Sequence, residues 1–219
     1  MFDAISPLSQ RPKGSVEDLS HIIFTSGTKG TPKGVALSHQ SVMSTLYQPR
    51  HLPVSQRVLY SANETFDCAT LQLWSAWIHG ATVITPERKA IADRKRMQKL
   101  IDNYQPDNIF LATGLFDSYM QSVKTALFST VNTVIFGGDV VNPTAVRAAQ
   151  QAGVKNLFNI YGPAETCVYS FAYAVRRQIN GALFLLAGFP TTCRSIFFIR
   201  SSNMFLMAPL VNSILSVRD

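Results

Sequence analysis

Short runs of strand-forming residues alternate with helical stretches from residue 57 to residue 161, and that alternation constrains the fold more than any other feature. Residues 57–62, 81–85, 108–112, 131–136 and 156–161 are too short for typical helices, and the later runs are rich in Val, Ile, Leu and Phe. Between them, residues 70–79 read as a helix closed by Gly80. Asn142 followed by Pro143 opens another, which Gly153 ends. Strands separated by crossover helices pair in parallel and are covered on both faces. The expected fold class is therefore α/β, with a mostly parallel covered sheet. Beyond Thr166, residues 168–175, 181–186, 195–199 and 203–207 read as strands joined by turns, so a short β-rich segment should follow. The chain divides into a linker-like start (1–18), an α/β core (19–175) and the opening of a β-subdomain (176–219) that the chain leaves incomplete.

Composition narrows the function classes. With 219 residues, 47% of them hydrophobic, the chain can bury a substantial core and is not a disordered segment. Cys68, Cys167 and Cys193 are isolated, without CxxC spacing, which argues against a disulfide framework or zinc site and for a reducing, cytoplasmic setting. They read as small buried apolar groups. The net charge of +7 is concentrated around residues 88–99, where Arg88, Lys89, Arg94, Lys95, Arg96 and Lys99 accompany Ile91, Met97, Leu100 and Ile101 at rough helical spacing. That pattern is a solvated helix face, with a polyanion-binding patch as the alternative. No zinc-finger spacing or aromatic RNA-binding motif is present, so no nucleic-acid partner is expected. The start of the chain has no signal-peptide pattern, and the apolar stretch 201–217 is broken by Asn203, Pro209 and Asn212, so no membrane partner is expected. Trp74 and Trp77 read as core residues.

Three strings carry chemistry. Phe24-Thr-Ser-Gly-Thr-Lys-Gly-Thr-Pro-Lys-Gly34 lies between a short apolar run (21–25) and a helix at 38–47 with Ser38 placed to cap it. Strand, Gly-rich loop and helix is the usual anatomy of a phosphate site, where amides, hydroxyls, Lys29 and Lys33 can cradle oxyanions. No Walker A register fits the string, and taken alone it also suits an ordinary turn. Asn159-Ile-Tyr-Gly-Pro-Ala-Glu-Thr166 follows a strand, turns sharply, and presents a ring and a carboxylate that could bind Mg²⁺ beside phosphates. Gly137-Gly138-Asp139 ends the preceding strand, where small residues admit a planar ligand. All three sit at or after strand carboxyl ends, the ligand edge of open α/β sheets.

Together these strings resemble the adenylate-forming (AMP-binding) enzyme superfamily of acyl-CoA synthetases, luciferases and nonribosomal peptide adenylation domains. The resemblance implies part of that family's large domain, with ATP and Mg²⁺ as cofactors. It implies that Thr25, Ser26, Gly27, Thr28, Gly30 and Lys33 surround the phosphates, and that Gly137, Gly138, Asp139, Asn159, Tyr161 and Gly162 surround the rest of the nucleotide, Tyr161 against the adenine. Lys33, Glu165 and Thr166 would be catalytic, Glu165 holding Mg²⁺ and Thr166 touching the α-phosphate. Lys29 stands where the family has Thr or Ser, and Ala164 where it has Thr.

Asn63-Glu-Thr-Phe-Asp-Cys-Ala-Thr-Leu-Gln-Leu-Trp74 resembles the segment lining the amino-acid pocket of peptide synthetases. By that resemblance Asp67 pairs with a substrate ammonium; Asp67 also reads as a helix N-cap, and one residue can do both. The implied pocket comprises Cys68, Leu71, Leu111, Ile135, Gly137, Ile160, Val168 and Tyr169, which suits an uncharged hydrophobic or aromatic amino acid. The implied reaction is amino-acid adenylation, carboxylate plus MgATP giving aminoacyl-AMP and pyrophosphate. The implied partners are a small amino acid and a carrier-protein domain bearing a phosphopantetheine thiol. The family's ribose-binding aspartate motif, hinge and small carboxyl-terminal domain with its catalytic lysine are not found, so a fragment is expected. The alternatives are an inactive remnant with weak nucleotide binding, or part of an acyl- or aryl-CoA ligase.

Overall fold

The computed structural model describes residues 13–25, 31–47, 52–121 and 127–175, together with the backbone of three further strands, 183–188, 197–200 and 203–204. Five strands pair in parallel in the order β4 (Thr82–Ile84), β3 (Arg57–Leu59), β5 (Asn108–Ala112), β6 (Thr133–Gly137), β7 (Asn156–Tyr161). The same sheet continues antiparallel through β8 (Phe171–Val175), β9 (Leu183–Gly188), β10 (Phe197–Arg200) and β11 (Asn203–Met204). The expected α/β architecture with a following β-rich segment is what the chain adopts, the later strands extending the first sheet. Among the described residues no helix is long and apolar enough to cross a membrane.

Register decides which side chains share a face. Phe110, Ile135, Phe158 and Ala174 lie in one cross-strand row, while Ile109, Val134 and Leu157 form the adjacent row, and successive rows point to opposite faces. The second face is covered by α4 (Arg94–Tyr104), α5 (Thr113–Gln121) and α6 (Pro143–Gln151), whose Met97, Ile101, Phe116 and Val146 are fully buried against it. Phe116 stacks on Phe136 with centroids 4.3 Å apart. The first face is covered by α1 (His39–Leu46) and α2 (Cys68–Ile78), through Val42, Leu46 and Leu71.

Local chemistry sets several boundaries. The Ser38 hydroxyl accepts from Ser41 N at 3.2 Å and starts α1. Asn142 accepts from Thr144 N at 2.9 Å ahead of Pro143 and starts α6. The basic stretch is two helices, α3 (Arg88–Ala92) and α4, parted at Asp93, whose carboxylate caps α4 through Arg96 N at 2.9 Å. Ile91, Met97 and Ile101 face inward there, leaving Lys95, Arg96 and Lys99 in solvent.

Two expectations are corrected. A strand, β2 (Lys33–Ser38), stands between the Gly-rich loop and α1 and pairs antiparallel with β1 (Leu19–Thr25), so the loop joins a hairpin and does not enter a helix. Alternation explains it: Val35 and Leu37 point inward while Gly34 and Ala36 are exposed. Trp74 and Trp77 are not core residues: they are 43% and 54% exposed and meet edge to face at 5.4 Å. The inward stripe of α2 runs through Cys68, Leu71, Gln72, Ser75, Ala76 and His79, and both indoles fall on the opposite side of the wheel.

Candidate functional site

The parallel strands deliver their carboxyl ends to one edge of the sheet, and the chain turns sharply there. β7 ends at Tyr161, and a Cβ on Gly162 would lie 2.5 Å from Ser170 N and 2.6 Å from Tyr169 Cα, so the turn closes only around glycine. A 3-10 turn, Ala164–Thr166, follows. Ser170 N donates to Tyr161 O at 2.9 Å, Thr166 Oγ1 donates to Pro163 O at 2.9 Å, and Ser170 Oγ donates to Thr166 Oγ1 at 2.8 Å. Cys167 and Val168 leave the turn with φ of 59° and 74°, a left-handed backbone that a β-branched residue rarely adopts. The corner thus holds Tyr161, Glu165 and Thr166 exposed on a rigid, hydrogen-bonded frame.

The hairpin comes to the same place. β2 packs against the 3-10 turn, and Leu37 shares a core cluster with Cys167 and Val168. Thr25 and Lys33 face each other across the hairpin at the mouth of its loop. Ser26, Gly27, Thr28 and Gly30 lie outside the described residues. Gly137 ends β6, where a Cβ would sit 2.4 Å from Ile160 O; Gly138 and Asp139 follow, exposed. Asp139 is tied by its own loop, Oδ1 accepting from Val140 N at 2.6 Å and the carbonyl from Thr113 Oγ1 at 3.4 Å. Asn159 is buried and donates to Phe136 O at 3.3 Å, which places it on the face opposite Gly137 and Ile160.

Asp67 occupies the N-cap position of α2 without capping it: its backbone is αR and its carboxylate makes no cap bond. It accepts instead from Cys68 Sγ at 3.5 Å. Burial raises the Asp67 carboxyl above the ordinary aspartate range, bonds from Cys68 partly oppose this, and the negative charge of Glu165 adds to the rise. Asp67 and Glu165 therefore share one electrostatic environment, and among the described residues neither has a salt-bridge partner. Burial and Asp67 together push the Cys68 thiol up to about 12, so it is a neutral hydrogen-bond donor.

Of the pocket positions, Leu71, Ile135, Ile160, Val168, Tyr169 and Cys68 gather in one apolar cluster under α2. Gly137 lies in their row of the sheet. Leu111 does not join them. It points into the cluster beneath α4 to α6, and Phe110, one residue earlier, takes its place. A strand buried on both faces gives no alternation by which to choose between the two.

Two supporting residues, Gln72 and His21, were not legible in the sequence, and the pocket residue Tyr169 gains a second role. Gln72, 3% exposed, accepts from Ser61 N at 2.7 Å and Ala62 N at 3.3 Å and so positions the loop that leads to Asp67. His21 bridges Thr70 Oγ1 and Ser20 Oγ, each at 3.0 Å, and joins β1 to the first turn of α2; burial, with help from His39, lowers its pKa. Tyr169 OH donates to Thr45 O at 3.4 Å, fixing the corner to α1.

The donor set can be tested against Mg²⁺. No group of three or more His, Cys, Asp or Glu side chains converges among the described residues, so a cage made of protein alone is not present. Mg²⁺ usually takes one or two carboxylates and fills its remaining positions with phosphate and water, and the exposed Glu165 suits that role.

The family model described as AMP-binding enzyme matches residues 3–197. The chain belongs to the AMP-binding enzyme family. Within that family it is similar to surfactin synthase subunit 2 of Bacillus subtilis, 27% identical over 169 residues, which is 76% of the chain and 5% of that protein. It is likewise similar to malpibaldin synthetase of Mortierella alpina, 28% identical over 76% of the chain and 3% of that protein. Among solved structures it resembles PA1221, a nonribosomal peptide synthetase protein containing adenylation and PCP domains, at 25% identity with a TM-score of 0.66, covering 77% of the chain and 34% of PA1221. It also resembles the N-terminal subdomain of Klebsiella oxytoca NpsA in complex with 3-hydroxybenzoyl-AMSN, at 26% identity and a TM-score of 0.66, over 78% of the chain and 43% of that subdomain. This AMP-binding chain thus spans a few per cent of the curated relatives it matches and less than half of the solved neighbours.

Proposed function

We propose that the chain is the nucleotide- and amino-acid-binding part of an adenylation domain that activates an α-amino acid as aminoacyl-AMP in a nonribosomal peptide synthetase-like protein. The observation that carries this reading is the half-buried carboxylate of Asp67, raised chiefly by burial, which has no salt-bridge partner among the described residues, as the exposed Glu165 has none. A carboxylate held in a partly apolar site calls for a cation. MgATP brings one to Glu165, and the ammonium of an α-amino acid brings the other to Asp67. An acyl or aryl acid would leave Asp67 without a partner. Mg²⁺, when bound, would neutralise phosphate charge. Thr25 and Lys33 at the hairpin mouth offer a hydroxyl and a positive charge to the phosphates, and Tyr161 offers a ring to the base. In the complete protein a carrier thiol takes the activated group, and a cytoplasmic location suits such an assembly.

The test is calorimetric titration of the chain with Mg²⁺-AMP and with a non-hydrolysable aminoacyl sulfamoyl-adenosine, repeated on Asp67→Ala. The expected result is that the variant loses tenfold or more in affinity for the aminoacyl compound and keeps its affinity for AMP. Equal affinity of wild type and variant for the aminoacyl compound transfers the reading to acyl or aryl substrates. No binding of either compound by the wild type removes the nucleotide reading itself.

A further inference from the structure

The cavity under α2 does not stop at the pocket positions. It touches three of them, Leu71, Ile135 and Tyr169, and then runs on past Val58 and Ala76 to a polar end formed by Ser75, His79, Asn108 and Ser55. Ile135, Phe110 and Val58 stand on β6, β5 and β3, three neighbouring strands, so the space travels across the sheet away from the corner as well as along the helix. Its volume is about 50 Å³, room for about four water-sized groups.

The polar end is built from fixed groups. Asn108 is 8% exposed and its amide donates to Ser55 Oγ at 2.8 Å. The His79 ring folds back so that Nδ1 donates to Ser75 O at 2.7 Å; that bond sets the tautomer, and Nε2 is then an acceptor with no hydrogen bond among the described residues. From Asp67 to Ser75 α2 rises about 12 Å, about the reach of an ammonium–carboxylate contact followed by an extended side chain of about six atoms.

We infer that this cavity is a specificity extension of the amino-acid pocket, shaped for an α-amino acid whose side chain is long, unbranched and apolar along its stem and ends in an uncharged hydrogen-bonding group. The inference rests on the amino-acid reading above and adds to it the class of side chain. The lining supplies the reason: Leu71, Phe110, Ile135, Val58 and Ala76 offer nothing to a polar stem, and at the far end the His79 Nε2 acceptor and the buried Asn108 amide offer partners that only a hydrogen-bonding tip can use.

Three sulfamoyl-adenosine probes on the intact chain test it: glycyl, 2-aminooctanoyl and Nε-acetyllysyl. The expected order is Nε-acetyllysyl about tenfold or more tighter than 2-aminooctanoyl, and both tighter than glycyl. Ala76→Leu, which fills the middle of the extension, should bring all three to the glycyl affinity. His79→Leu should keep the preference for length and abolish the difference between the two long probes. A melting curve on each variant establishes that it is folded; should one of them fail to fold, the wild-type order and the other variant decide. Glycyl binding as tight as Nε-acetyllysyl binding overturns the extension while leaving the amino-acid reading standing. Unchanged Nε-acetyllysyl affinity in a folded Ala76→Leu also overturns it. Failure of all three probes defeats both readings together.

Discussion

Asp67 shows how a single residue can be unfavourable for the fold and useful to the site. Its carboxyl is raised by burial first and by Glu165 as well, so the folded state holds the proton more tightly than the unfolded chain. That linkage makes its contribution most favourable below the unfolded aspartate range and progressively unfavourable as pH rises through the folded pKa. Asp67→Asn should therefore raise the melting temperature at pH 7, with the gain shrinking as pH falls toward 4, read from paired thermal melts. A variant less stable than wild type at pH 7 would show the carboxylate to be held by a cation within the chain. At this scale short strings rich in chemistry singled out Asp67 and Glu165, whose charges the fold brings within influence of one another. The sequence was silent at Leu111 and Phe110, because both are apolar in a strand with no wet face and a one-residue shift changes nothing in the composition.

Among elements, the hidden ones were those whose pattern overlaps a stronger signal. The glycine-rich string at 27–34 suggested a loop up to the helix and concealed β2, whose signal was the alternation of Val35 and Leu37. α5 was not expected at all: Gly114 lies in its first turn, although Thr113, Phe116, Tyr119 and Met120 fall on one face and are buried. Amphipathic spacing also says nothing about which side of a helix meets the core when both sides are apolar, and on α2 the tryptophans were on the wrong side. A paired measurement checks the assignment. Phe136→Ala removes the partner on which Phe116 stacks and should cost about 3–5 kcal/mol in denaturant unfolding. Trp77→Ala should change it by under about 0.5 kcal/mol, as an exposed substitution does.

The whole molecule is uneven in how tightly its parts are held. β5, β6 and β7 sit in the middle of the sheet with helices on both faces, and every residue of β6 is buried. β1 and β2 form a two-stranded sheet of their own, with Ile22 and Phe24 exposed at 48% and 68%. Native-state amide exchange should rank accordingly, slowest at Val134 to Phe136 and fastest at β1. Protection of β1 equal to that of β6 would mean that the hairpin shares the stability of the main sheet. This ordering was readable in outline, since a buried parallel sheet announces itself by continuous apolar runs. The separateness of the hairpin was not, because it depends on long-range pairing.

The corner and the hairpin that packs against it are tied to the molecule differently. On one side the backbone at Cys167 and Val168 is locked left-handed between a 3-10 turn and β8, so any rotation there would have to break Ser170 N–Tyr161 O and disturb the end of the main sheet. On the other side β2 is paired to a single neighbour. The corner is the anvil on which the hairpin rests: a substitution at the corner strains the main sheet, whereas one in β2 disturbs a single backbone partner among the described residues.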